Sequence, residues 1–240
     1  MSEQSLHSFK RRLRWPIVFI LIMWLVFFFG LIFHLDLGNW GVFPRHIEGL
    51  PGILTSPFIH ANIKHILSNT VPMMGMLTIM VMFYPRVAVK AFLMIYVLTG
   101  VCVWLFGRSV YHIGASGVVY GLVAFVFWSG VFRRSLKSIV LALIIVILYT
   151  PMFAGILPNQ EGISWESHLL GAFVGVFTSF YYKKYLEVDE MEDKNHIIED
   201  DESTNGKQYF FPRDVFTMTK EERQRQTERD NNWFSDTTLF

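Results

Sequence analysis

A single cysteine, Cys102, stands in 240 residues. It lies inside an apolar run, so no intrachain disulfide can form, and a buried small hydrophobe is its expected role. Charge is scarce too: 17% of residues are Asp, Glu, Lys or Arg, against 52% hydrophobic. Acidic residues are almost missing from the first three quarters of the chain. Only Glu3, Asp36, Glu48, Glu161 and Glu166 precede residue 187, and the other 15 of the 20 follow. A soluble domain of this length does not combine so much apolar surface with so few charges. The net charge of +1 averages a membrane domain and a small soluble appendage, and points to no nucleic-acid partner. No internal repeat and no cleavable signal peptide is in view.

What is present is a series of apolar runs. A basic start, Lys10, Arg11, Arg12 and Arg14, leads into Trp15–Phe33, about 19 residues and long enough to span a bilayer core. Six spans are predicted, at 15–34, 64–83, 87–106, 115–132, 136–153 and 164–183. Turn chemistry separates them at Tyr84-Pro85-Arg86, Phe106-Gly107-Arg108, Arg133-Arg134-Ser135 and Leu157-Pro158-Asn159. With the N-terminus inside, eleven Lys and Arg flank the spans on the inner side, against Arg45, Lys64 and Arg108 outside. Six spans return the C-terminus to the inside as well. The pattern predicts an all-α, multi-pass protein with a cytoplasmic N-terminus (1–14), a membrane domain (15–185) and a polar, partly disordered cytoplasmic tail (186–240). A bacterial cytoplasmic membrane is the expected location.

Two segments fall outside the spans. The outer segment 35–59 keeps Trp40, Phe43, Ile47, Leu50, Ile53, Leu54 and Phe58 among its Gly and Pro, and is expected to lie in the outer interface with Trp40 at headgroup depth. The tail begins as an acidic linker. Within it, Thr219 and Glu222 have the spacing of a capping box.

Polar groups at membrane depth are costly and tend to carry function. Here they are His60, His65, Asn69, Ser116, Tyr120 and His168. No Asp or Glu is assigned to the interior of a span. A serine nucleophile would therefore work with a histidine alone, and a proton pump, which relies on buried carboxylates, is disfavoured. Ser116 opens the fourth span in Gly114-Ala115-Ser116-Gly117, where a glycine permits a sharp turn and the first helix amides have no internal partner. Tyr120 shares its face. Alone, the stretch fits a packing segment better than a catalytic one, since Gly117 and Gly121 form a small-x-x-x-small motif. His168 shares a face with Gly171 and Gly175. Packing of the two glycine faces would bring His168 to Ser116 as a general base. His65 and Asn69, four apart, offer donors suited to an oxyanion. His60 reads as a structural residue.

Taken together, His60-x4-His65-x3-Asn69, Gly114-Ala115-Ser116-Gly117 with Tyr120, and His168-x2-Gly171-x3-Gly175 resemble the rhomboid family of intramembrane serine proteases, over about residues 15–185. The resemblance implies a six-helix bundle with Ser116 as nucleophile and His168 as general base. It implies that His65 and Asn69 help the Ser116 amide hold the oxyanion, that Tyr120 stacks on the histidine, and that His60 is structural. Gly171 and Gly175 would be packing glycines. Substrates would be single membrane spans cut near their outer end, and no metal or cofactor is implied; no oligomeric state follows. Several rhomboids carry an adjacent Trp-Arg pair in the first outer loop, whereas here Trp40 and Arg45 are separated. Ser167 stands where many members have alanine. Two other readings are a non-catalytic rhomboid-like protein that binds transmembrane helices, and a small transporter using His60, His65, His112 and His168.

Overall fold

The computed structural model describes residues 3–149, 155–157, 164–188 and 190–191, together with 219, 221–222 and 224–225. The end of the expected fifth span, at 150–153, and most of the tail lie outside these residues. Among the described residues there are six long helices, α1 (Glu3–Ile32), α3 (Ile63–Phe83), α4 (Ala88–Phe106), α5 (Ser116–Arg133), α6 (Leu136–Tyr149) and α7 (Trp165–Tyr182), with a single turn α2 (Gly52–Thr55) in the outer segment. The β structure among the described residues is an isolated antiparallel bridge between Val42 and His112.

Local chemistry sets the helix ends. Asn62 caps α3, its side chain accepting from the His65 N–H at 2.9 Å, and Ser164 caps α7, accepting from the Ser167 N–H at 3.4 Å. Arg134 closes α5 in the left-handed region at φ 56°. The first helix starts well before the expected residue 15, because Glu3 to Arg14 contains no Gly or Pro to stop a helix in water. Pro16 sits inside it and forgoes one backbone hydrogen bond.

Among the described residues, four helical segments are long and apolar enough to cross a membrane: Phe9–Ile32, Ile63–Phe83, Ala88–Phe106 and Ser116–Arg133. The apolar part of α6, Lys137–Tyr149, is shorter. The first turn of α7 carries Glu166, Ser167 and His168, which dilutes its apolar character.

The α5 helix is central, packed against α3, α4, α6 and α7. Its closest partner is α7, and glycines make the contact. A Cβ on Gly171 would overlap the carbonyl of Gly117, and one on Gly175 would overlap the carbonyl of Gly121. The two backbones therefore touch along one seam, as small residues allow in the absence of a hydrophobic driving force between membrane helices. Trp24 on α1 donates to Thr70 on α3 at 3.1 Å.

The outer segment is ordered over its whole length. Arg45 braces it against the end of α4: its guanidinium donates to the carbonyls of Gly107 (2.7 Å) and Leu105 (3.3 Å) and to Ser109 Oγ (3.0 Å). Thr55 donates to the Trp40 carbonyl at 2.5 Å. The separated Trp40 and Arg45 thus each have an anchor. Trp40, Ile47, Leu50 and Leu54 are exposed and give the segment an apolar outer face.

At the opposite end of the bundle, residues after α7 fold back onto it. Arg133, at the end of α5, pairs with Glu190 at 2.7 Å, and both side chains are almost fully buried. Ser135 and Ser138 donate to the other Glu190 oxygen at 2.9 and 2.6 Å, and the Glu187 N–H donates to Glu190 at 2.9 Å. Arg133 also lies over the Tyr84 ring, 4.8 Å from its centroid. Burial opposes ionisation of Glu190, but these donors and the Arg133 charge outweigh it and hold the carboxyl below its ordinary range. Glu190→Gln should cost about 1–3 kcal/mol of stability at neutral pH, the worth of hydrogen bonds to a charged group. A depressed folded-state value stabilises above the unfolded value and is lost as pH falls through the folded one. Thermal unfolding of both proteins against pH should therefore show the gap closing on acidification; a gap constant with pH would contradict this.

Chain contacts divide the protein into two units, Met1–Glu190 and Met191–Phe240. In the second, Thr219 and Glu222 make the expected reciprocal bonds: the Thr219 N–H donates to Glu222 Oε2 at 2.8 Å and the Glu222 N–H to Thr219 Oγ1 at 3.3 Å.

Candidate active site

Gly114 turns the chain into α5 at φ 101°, a conformation L side chains rarely adopt. A second constraint acts there: a Cβ on Gly114 would lie 2.6 Å from His65 Nε2. The turn delivers Ser116 to the first position of α5, half-buried, where the leading amides of the helix have no partner within it. The Gly114 N–H donates to the Ser56 carbonyl at 2.9 Å and ties the turn to the outer segment.

The seam between α5 and α7 sets His168 opposite Ser116. Its Nε2 lies 2.8 Å from Ser116 Oγ. Its Nδ1 lies 2.8 Å from the carbonyl oxygen of Gly155, which can only accept. Nδ1 therefore carries the proton of the neutral ring, and Nε2 is the lone pair to which Ser116 donates. Tyr120, one turn along α5, stacks on the imidazole with centroids 4.2 Å apart and planes 9° apart.

His65 has its tautomer fixed in the same way. The Ala61 N–H donates to His65 Nδ1 at 3.4 Å, so Nε2 holds the hydrogen and presents it beside Gly114. Asn69 is buried, and its Nδ2 donates to the His65 carbonyl at 2.8 Å, which uses one of its two hydrogens. No hydrogen bond joins Asn69 to Ser116 among the described residues. The His60 ring meets that of His65 edge-on, with centroids 4.9 Å apart, and donates from Nδ1 to the Phe58 carbonyl at 3.3 Å. Burial first, then the nearby His65, lower its pKa to about 4 against the contrary pull of that carbonyl, so it stays neutral at ordinary pH.

One expectation needs correcting. A carboxylate does lie within the expected span 164–183 and within a long helix: Glu166 is in the first turn of α7 and buried. It is not a third member for Ser116 and His168, because it pairs with Arg108 at 2.8 Å while Gly155 occupies His168 Nδ1. Two contributors escaped the sequence pattern. The Gly155 carbonyl is a backbone group and leaves no residue signature. His112 is buried in the loop before Ser116 and makes ring contacts with Ser164, Arg108 and, at 3.5 Å, Ser167. A small cavity of about 20 Å³ lies behind Gly117, with Ser56, Thr99, His112 and Ser167 among its walls; that is room for about one water. Among the described residues there is no cluster of three or more His, Cys, Asp or Glu suited to a metal ion.

The sequence matches the Rhomboid domain over residues 47–185. An uncharacterized protein of Mycobacterium tuberculosis is 33% identical over 149 residues, 58% of this chain and 62% of that protein, and one of Mycobacterium bovis is similar to the same extent. An uncharacterized protein of Mycobacterium leprae is 29% identical over 188 residues, 71% of this chain and 74% of that protein. The chain thus spans about three fifths of the length of the first two relatives. The matched segment holds His60, His65, Asn69, Ser116, Tyr120 and His168 and covers more than half of the sequence, and the protein belongs to the rhomboid family.

Proposed function

We propose that the protein is an active intramembrane serine endopeptidase that cleaves single-span membrane proteins near the outer face of the bilayer. The observation that carries this reading is the Ser116–His168 pair at 2.8 Å, with the histidine tautomer that a general base needs. Ser116 Oγ attacks the scissile carbonyl carbon as His168 Nε2 takes its proton. The oxyanion is held by amides at the start of α5, by His65 Nε2–H and by the remaining Asn69 hydrogen. Collapse expels the amine, which leaves with the proton from His168, and an ester to Ser116 remains. Water, deprotonated by the same imidazole, releases the second product. Without a carboxylate behind the histidine, turnover should be slow.

In this proposal all six long helices cross the bilayer, α6 and α7 included, with both termini cytoplasmic as the Lys and Arg distribution favours. Ser116 and His168 then sit towards the outer face. The membrane is the bacterial cytoplasmic membrane.

The test is incubation of the reconstituted protein with single-span peptides whose outer ends carry small residues and helix-breaking glycine. Mass spectrometry should find one cut towards the outer end. Peptides that copurify with folded protein and stay intact would replace the protease with the helix-binding reading.

A further inference from the structure

His112 has every polar group in use. Its backbone pairs with Val42 in both directions, N–H to carbonyl at 2.8 Å and carbonyl from N–H at 3.0 Å. Its Nε2 is 3.0 Å from the Arg108 carbonyl, which only accepts, so Nε2 bears the hydrogen and Nδ1 is an acceptor. Ser164 Oγ donates to that Nδ1 at 2.5 Å. Ser164 is then free to accept, and Ser167 Oγ lies 2.7 Å away. The hydrogen bonds run in one direction, from Ser167 through Ser164 to His112 and on to Arg108, and Ser167 Oγ also stands 3.5 Å from His112 Nδ1. Burial lowers the His112 pKa despite the Arg108 carbonyl and nearby Glu166, so the neutral ring this chain requires is favoured.

The two ends of the chain of bonds are what matter. His112 lies four residues before Ser116, on the loop that delivers it. Ser164 caps α7, and Ser167 precedes His168. The glycine seam fixes the spacing of α5 and α7 along their lengths, but Ser116 sits at the very start of α5 and His168 in the first turn of α7, where each helix is entered from a loop. The other link there, Arg108–Glu166, has its arginine side chain 53% exposed and is of the kind that contributes little.

Resting on the Ser116–His168 reading above, we infer that His112 is a positioning residue, whose ring joins the loop carrying Ser116 to the first turn of α7 and thereby sets the alignment of Ser116 with His168. It touches neither substrate nor reacting atoms. A misplacement of about 1 Å costs on the order of a hundredfold in rate, so loss of the link should be visible in chemistry before it is visible in folding.

The test uses the full chain in detergent, with two readouts. The first is the rate of Ser116 acylation by a fluorophosphonate. His112→Phe keeps the ring volume and removes all the ring hydrogen bonds, and should slow acylation about 10- to 100-fold. His112→Asn keeps an acceptor near the Nδ1 position and should recover most of the rate. Ser164→Ala removes the nearer donor to Nδ1 together with the α7 cap, leaving Ser167 Oγ at 3.5 Å, and should slow acylation as well; adding it to His112→Phe should cost no more than the lost cap, because the link is already gone. The second readout is the ¹⁵N shift of the His168 ring, which needs no turnover. In His112→Phe the His168 Nε2 signal should move to where Ser116→Ala puts it. Wild-type ring shifts and acylation in folded His112→Phe would overturn the proposal, as would losses that multiply in the double variant. Should His112→Phe not fold, Ser164→Ala with His112→Asn decides by the same two measures. A wild-type protein that takes no label would sink the protease reading alone, and the ring shifts would still judge the positioning role.

Discussion

Ser116→Ala should take no fluorophosphonate label and cleave no peptide, with activity down at least about 10⁴-fold, because the nucleophile itself is gone. Folding should hardly change. Ser116 is half-buried and makes one side-chain hydrogen bond, to His168, so the loss is about 1 kcal/mol. His168→Ala should keep the hydroxyl but lose its proton acceptor, lowering acylation about 10²- to 10⁴-fold. The pair is informative only together, with melting curves recorded for both. Equal labelling of His168→Ala and wild type would mean that Ser116 is reactive without the imidazole, and the 2.8 Å contact would have no catalytic meaning.

The second large effect is expected far from any reacting group. Gly171→Ala places a methyl where the carbonyl of Gly117 already is; the methyl is held rigidly by its own Cα and the carbonyl is backbone, so neither can swing aside. The helices must part. Overpacking of this kind costs roughly 1–3 kcal/mol, and more where backbone has to move. His168 is one turn from Gly171 on the same face, so the separation opens the Ser116 contact as well. Gly171→Ala should lose activity and thermal stability together, and Gly171→Leu should lose both completely. Phe173→Leu, two residues on and 62% exposed, is the control and should be nearly silent. Full activity in folded Gly171→Leu would show that the seam does not set the site.

These effects fall where residue identity and helical period speak together. Ser116, His168 and the four seam glycines were legible because a 3.6-residue period puts Gly117 and Gly121 on one face and His168, Gly171 and Gly175 on another. His65 and Asn69 were legible for the same reason. What could not be read depends on partners distant in the chain. His112 and Ser164 are 52 positions apart. Glu187 and Glu190 look like the start of a solvated acidic linker, yet both are buried, because Arg133, Ser135, Ser138 and the Arg86 N–H supply the donors that make burial tolerable. Spacing in a sequence carries no information about such closures.

The partner that orients His168 is a peptide oxygen, and this has a genetic consequence. A carboxylate in that place could be erased by one codon change, and its loss would be among the first lesions to appear in an inactive descendant. A main-chain oxygen is present whatever residue is encoded. Only a change that moves the strand of chain at Gly155 can withdraw it, and Gly155 itself is such a point, since a Cβ there would run into the Tyr120 hydroxyl and stand 3.1 Å from His168 Nδ1. In the proposed enzyme this contact would therefore be lost through His168 or a side chain gained at position 155, and an alignment scored for a conserved acidic partner would find nothing to score.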